Sequence, residues 1–171
     1  PTGQARAERH AAAIEAALRH PRERTRTGKD VREMRELLEQ ERPPKGEWDL
    51  KLSPGGLVDI EFAAQFLQLA HAAEGGPLSQ NTAEALAAAG AAGLASTTSL
   101  AALRKAWTLQ QNLTQLLKVA LADNADPSEE PKAFRALLAR AGEAKDFRAL
   151  KTKLDTARAG ARQAYDTIVR S

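Results

Sequence analysis

Along the 171 residues, apolar side chains recur mostly three and four positions apart, the spacing of helices that bury one face. Between about Ala5 and His20, Ile14 and Leu18 lie four apart among alanines and charges, which predicts a surface helix ending near Pro21. Residues 21–28 form a polar link containing Arg22, Arg24, Arg26 and Gly28. A second helix is predicted from about Lys29 to Glu41, with Val31, Met34, Leu37 and Leu38 on one face and a stop at Pro43-Pro44. In residues 45–53 the period changes to two: Trp48, Leu50 and Leu52 alternate with Asp49 and Lys51, which predicts a short strand-like arm.

A third helix is expected to begin at Ser53-Pro54, because serine can accept a bond from a free first-turn N–H and proline at the first helical position forfeits no intrahelical bond. It continues through Phe62, Phe66, Leu67 and Leu69 to about Ala72, before Glu74-Gly75-Gly76-Pro77. Asn81 or Ser79 caps a short helix over Thr82–Ala89, closed by Gly90. Thr97, Thr98 or Ser99 then caps a long helix reaching about Ala122, with Leu100, Leu103, Trp107, Leu113, Leu116, Leu117 and Leu121 at helical spacing. Residues 123–127 read as a turn, followed by helices over about Glu129–Arg140 and Asp146–Val169. The expected fold is all-α, a bundle of about seven helices. Residues 1–50 form a two-helix extension leading into it, and residues 51–171 form the bundle proper.

Composition supports this reading. Hydrophobic residues make up 43% but aromatics only 4%, and alanine recurs in runs such as Ala11-Ala12-Ala13 and Ala87-Ala88-Ala89, favouring helices packed closely across small side chains. With no cysteine, disulfides, thiolate catalysis and cysteine-ligated metal are excluded. The chain lacks an apolar run near membrane-span length and an export signal, so a cytoplasmic location with no membrane association is expected. A first residue of proline suggests a piece cut from something longer. The net charge of +3 conceals a segregation. Residues 1–52 carry 12 basic and 10 acidic side chains, residues 53–100 none and 4, and residues 101–171 carry 13 and 8. Basic and acidic residues alternate instead of lining one stripe, so no nucleic-acid partner is expected.

The chemistry is concentrated in Lys51-Leu52-Ser53-Pro54-Gly55-Gly56-Leu57-Val58-Asp59-Ile60-Glu61-Phe62. At a helix start, Gly55 and Gly56 could expose free amides to a phosphate, with Lys51 adding a full charge; the same glycines equally suit a tight helix start. Asp59 and Glu61 lie on opposite sides of a mostly apolar helix. Structurally, each carboxylate pairs with an arginine of another helix or lies at the edge of the core; functionally, one of them orders Lys51, a basic residue of a partner domain, or a metal-bound nucleotide. His10, His20 and His71 lack ligand spacing, so no metal site is expected, and Trp48, Trp107 and Tyr165 read as packing residues. Lys145, Arg148, Lys151, Lys153, Arg158 and Arg162 read as a solvated helix face, with docking of a protein partner as the functional reading.

The run Lys-x-x-x-Gly-Gly-x-x-Asp-Ile-Glu-Phe, with Gln65 and Leu67-x-Leu69 after it, resembles the signature of the helical domain that follows a nucleotidyltransferase domain in the glutamine synthetase adenylyltransferase family. Asp30 to Arg35, Asn81 to Leu86, and Leu113-Thr114-Gln115 resemble flanking stretches of that domain, and Asp at position 59 looks more like the C-terminal half of the family's two-part enzymes. The resemblance implies a parent enzyme that uses ATP and magnesium to transfer AMP to a glutamine synthetase tyrosine and to remove it. The implied partners are glutamine synthetase, the PII signal protein and the adjacent nucleotidyltransferase domain. No Gly-Ser and no strand-borne Asp-x-Asp occurs here, so this chain is expected to carry no catalytic residue and no tightly bound cofactor. Lys51, Gly55, Gly56, Asp59 and Glu61 are the candidate nucleotide-contacting or domain-interface residues. A noncatalytic interaction module and the helical domain of a related PII uridylyltransferase are the competing readings.

Overall fold

A computed structural model describes residues 3–120 and 126–171. Among them are seven α-helices: α1 (Gly3–Leu18), α2 (Arg24–Glu41), α3 (Leu57–His71), α4 (Thr82–Ala91), α5 (Thr97–Ala120), α6 (Lys132–Ala141) and α7 (Phe147–Arg170). A single 3-10 turn, Ala72–Glu74, continues α3, and the described residues include no strand. The all-α bundle expected from the spacing is therefore the observed architecture.

Helices α5 and α7 are the two longest and pack along each other, and α3 lies against α2, α4, α5 and α7. Their shared core is built from Ile60, Phe66, Leu67, Leu86, Leu103, Leu113, Leu138, Leu150, Leu154 and Tyr165. Small residues let the axes approach: Ala63, Ala64, Ala85, Ala89, Ala106, Ala161 and Ala164 are all buried. Alanine here supplies helix propensity and close contact together. Trp48 and Trp107 are only partly buried at the core's margin, where Trp48 stacks on Phe147 at 5.3 Å between ring centroids.

The first two helices behave differently. No residue of α1 is buried, and Ile14 is exposed; its C-terminal end is tied down by Arg19, which donates to the carbonyls of Ala72 (3.0 Å) and Gly76 (3.2 Å). Helix α2 instead packs on α3 and α7. It begins at Arg24, earlier than the expected Lys29, because Glu23 caps it by accepting from the amides of Thr25 (2.9 Å) and Arg26 (2.6 Å). Gly28 thus falls inside the helix, where a Cβ would lie 2.4 Å from the Val169 carbonyl oxygen. The expected inward face of α2 also needs correction. Val31 packs against the core, but Met34 and Leu37 are about half exposed, and the buried residues are Gly28 and Arg35.

Other boundaries agree with the spacing or shift by a few residues. Asn81 caps α4 and Asp146 caps α7. For α5, Ser96 supplies the cap, its hydroxyl accepting from the Ser99 amide at 3.1 Å. The expected end of α5 near Ala122, Leu121 as a core residue and most of the 123–127 turn lie outside the described residues.

Candidate functional site

The strand-like arm expected over residues 45–53 is a chain of turns organised by one carboxylate. Asp49 accepts from the backbone amides of Lys51 (3.1 Å), Leu52 (2.9 Å) and Lys45 (3.2 Å). Alternation of Trp48, Leu50 and Leu52 carried no strand signal because aspartate satisfies amides two and three residues on, which offers the backbone an alternative to a sheet.

Helix α3 begins at Leu57, three residues after Pro54, and the reason is Gly55. Its φ of +73° is left-handed, which no helix accommodates and which favours glycine. The turn then closes with the Gly56 amide donating to the Ser53 carbonyl (2.7 Å), the Leu57 amide to Leu50 (2.9 Å) and the Val58 amide to Lys51 (3.1 Å). Asp59 reaches back from the first turn and accepts from the Gly55 amide at 2.6 Å. The amides of Gly55, Gly56, Leu57 and Val58 are thus occupied within the chain. Neither glycine leaves room for a side chain: a Cβ on Gly55 would meet the Arg158 carbonyl oxygen at 1.9 Å, and one on Gly56 would meet three carbonyl oxygens at 2.7–2.8 Å. The geometry fits the tight helix start to which the two glycines are equally suited.

Asp59 is fully buried and joins three elements. Its Oδ1 pairs with Arg35 Nε of α2, and its Oδ2, besides holding Gly55, accepts from Arg162 Nη1 of α7 at 3.2 Å. Arg35 is itself buried; it also donates to the Leu52 carbonyl at 2.9 Å and lies 3.2 Å from Glu39, which Arg162 contacts at 2.8 Å. Two arginines and two carboxylates therefore close a charge network between α2, α3 and α7. Such a network is tolerated in a core only because each charge has a partner.

Two further side chains clamp the same loop. Gln110, buried on α5, donates to the Gly55 carbonyl at 2.9 Å. Arg158 of α7 is buried and donates to the carbonyls of Glu47 (2.7 Å) and Asp49 (3.1 Å). Burial pulls the Arg158 pKa down, against the nearby carboxylates of Asp155, Asp49 and Glu47. Arg158 and Arg162 are thus structural, which corrects their placement on a solvated helix face. Lys151 is likewise engaged, pairing with Glu47 at 2.9 Å. A signal for the two arginines was present: they interrupt the stripe Leu154, Ala157, Ala161 and Tyr165, which otherwise marks a buried face. Gln110, inside the apolar face of α5, had the same signal.

Lys51 and Glu61 remain on the outer side of the signature. Lys51 is exposed, and Glu61 is half-buried without a hydrogen-bond partner among the described residues. Burial raises the Glu61 pKa, and the charge of Lys51 partly offsets this. Among the described residues there is no group of three or more metal-ligating side chains and no helix long and apolar enough to cross a membrane.

The signature and its interlock sit within residues 27–168, the stretch matched by the family model described as GlnD PII-uridylyltransferase, and the chain belongs to that family. It is 62% identical over 170 residues to the bifunctional glutamine synthetase adenylyltransferase/adenylyl-removing enzyme of Caulobacter vibrioides, an alignment covering 99% of this chain and 17% of that protein. The proteins of the same name from Rhodopseudomonas palustris and Rhizobium meliloti are 36% and 38% identical, with 91% and 89% of this chain covered and 16% of each relative. The chain thus spans about a sixth of the length of these curated relatives.

Proposed function

We propose that this chain is a helical accessory domain of a glutamine synthetase adenylyltransferase, and that it positions an adjacent nucleotidyltransferase domain rather than performing chemistry. The observation that carries this reading is the division of labour within the signature. Gly55, Gly56 and Asp59 are committed to the fold, whereas Lys51 is exposed on a loop clamped by α2, α5 and α7, and Glu61, in the first turns of α3, is half-buried with no hydrogen-bond partner among the described residues. A clamped loop presenting one cation beside a helix presenting one half-desolvated carboxylate suits a polar contact between domains, because a preorganised group loses little freedom on pairing. The parent enzyme would transfer AMP from ATP, with magnesium, to a glutamine synthetase tyrosine and reverse that transfer. ATP and magnesium would be held by the neighbour, PII would act on the whole enzyme, and its compartment would be the cytoplasm.

Names of the relatives favour adenylyl transfer, and the description of the family model favours uridylyl transfer to PII as the second reading. The test uses the full-length parent, offered ATP with glutamine synthetase or UTP with PII. AMP incorporation by the wild type, reduced about tenfold by Lys51→Ala or Glu61→Gln with an unchanged melting temperature, supports the positional role. Unchanged rates in both variants overturn it, and UMP incorporation alone selects the second reading.

A further inference from the structure

Around the signature Arg35, Lys151, Arg158 and Arg162 are each engaged within the chain, but a second group of cations is mostly free of such partners. Two adjoining cavities of about 470 and 570 Å³ run between α5, the α6–α7 turn and the first half of α7, and they share Lys105 and Lys153. Five cations line them against two carboxylates, Glu143 and Asp146. Asp146 is occupied as the cap of α7, accepting from the Ala149 amide at 2.7 Å, and Lys153 is turned to the Gly142 carbonyl at 2.7 Å with Glu143 beside it. Arg104, Lys105, Lys145 and Arg148 are left exposed, with no ion pair or side-chain hydrogen bond among the described residues.

Four like charges around one concave surface repel one another and contribute nothing to folding. Such a surface gains most by meeting opposite charge. Between the cations the lining is small and neutral, with Ala101, Thr108, Ala149 and Thr152, and no aromatic side chain is available to stack a base. No large exposed apolar side chain lines the groove to enter a membrane. An acidic protein surface can place its carboxylates singly between the four cations.

We propose that Arg104, Lys105, Lys145 and Arg148 form a docking surface for an acidic face of the protein substrate. That substrate is glutamine synthetase if the accessory-domain reading above holds, on which this inference rests. The surface acts in encounter and binding, not in transfer, so it governs KM for the protein substrate and its dependence on salt.

The test is steady-state AMP incorporation by the full-length parent, varying glutamine synthetase and sodium chloride, for wild type, Lys105→Glu/Arg148→Glu and the milder Lys105→Ala/Arg148→Ala. The wild-type KM should rise with salt. The charge-reversal variant should raise KM about tenfold or more at low salt, leave kcat within about twofold and flatten the salt dependence, with the alanine variant between them. A salt-independent wild-type KM, or variants with wild-type KM, overturns the docking surface. Variants that lose binding only to a single-stranded RNA probe, with KM for glutamine synthetase unchanged, also overturn it and assign the surface to nucleic acid. A wild-type parent that transfers no AMP to glutamine synthetase sinks the accessory-domain reading itself, an outcome distinct from the others.

Discussion

Arg35 of α2 and Asp59 of α3 form an ion pair that is wholly inside the bundle: the arginine is 1% exposed and the aspartate 0%. Twenty-four residues apart in sequence, they fix the crossing of two helices and, through Arg162, bring in a third. Removing one partner leaves the other as an uncompensated buried charge. Asp59→Asn should therefore lower the unfolding free energy of the isolated chain by about 3–5 kcal/mol, read from the urea midpoint. A loss below about 1 kcal/mol would mean that water already solvates the pair.

The two glycines of the signature fail for different reasons when substituted. Gly55→Ala must adopt a left-handed φ and also place a Cβ against the Arg158 backbone, so it should cost more than about 2 kcal/mol. Gly56 has an ordinary φ of −74°, and its cost comes from crowding the carbonyls of Leu50, Lys51 and Ser53. Both variants should melt earlier, and adding ATP with magnesium should not restore either midpoint. Recovery on adding nucleotide would point to a ligand at the helix start.

Tyr165 is the only tyrosine, which makes its ionisation directly visible in the ultraviolet. Burial, with Asp59 nearby, pushes its hydroxyl up to about 12 from an ordinary 10.0. A group with a raised folded pKa contributes stability that is intact below the unfolded value and is lost as pH rises through the folded one. Phenolate absorbance in the folded chain should thus appear with a midpoint well above that in denaturant, and Tyr165→Phe should remove part of the stability loss between pH 10 and about 12. Coincident midpoints for folded and denatured chains would contradict the burial of this ring.

Glu61 gives the reverse of the usual carboxylate behaviour. Its raised pKa means that ionisation opposes folding: its contribution is present below the unfolded value of 4.5 and is lost as pH rises through the raised folded value. Glu61→Gln should melt no earlier than wild type at pH 7, and any gain should vanish near pH 4. An earlier melt at pH 7 would show that the carboxylate has a stabilising partner within the domain.

Helical spacing made most of the fold legible, since core positions such as Leu100, Leu103 and Leu113 follow it directly. Most of the errors share one cause, polar groups acting where apolar ones are expected. Met34 and Leu37 looked like the buried face of α2 because pattern reading has no way to prefer Arg35, whose burial depends on an aspartate in another helix. Asp49 turned an apparent strand into turns, and the left-handed Gly55 moved the start of α3 from Ser53-Pro54 to Leu57. Within the signature, spacing correctly set Asp59 and Glu61 on different sides of α3. Their separate fates, one locked inside and one half-open, needed the partners on α2 and α7.

A double-mutant cycle on Arg35→Met and Asp59→Asn measures the interlock most directly, with unfolding free energies of wild type, both single variants and the pair. A signature held together by this ion pair predicts a coupling of at least about 2 kcal/mol, the double variant being more stable than the two single losses added together. Additivity within about 0.5 kcal/mol would contradict it and leave Asp59 free for another role.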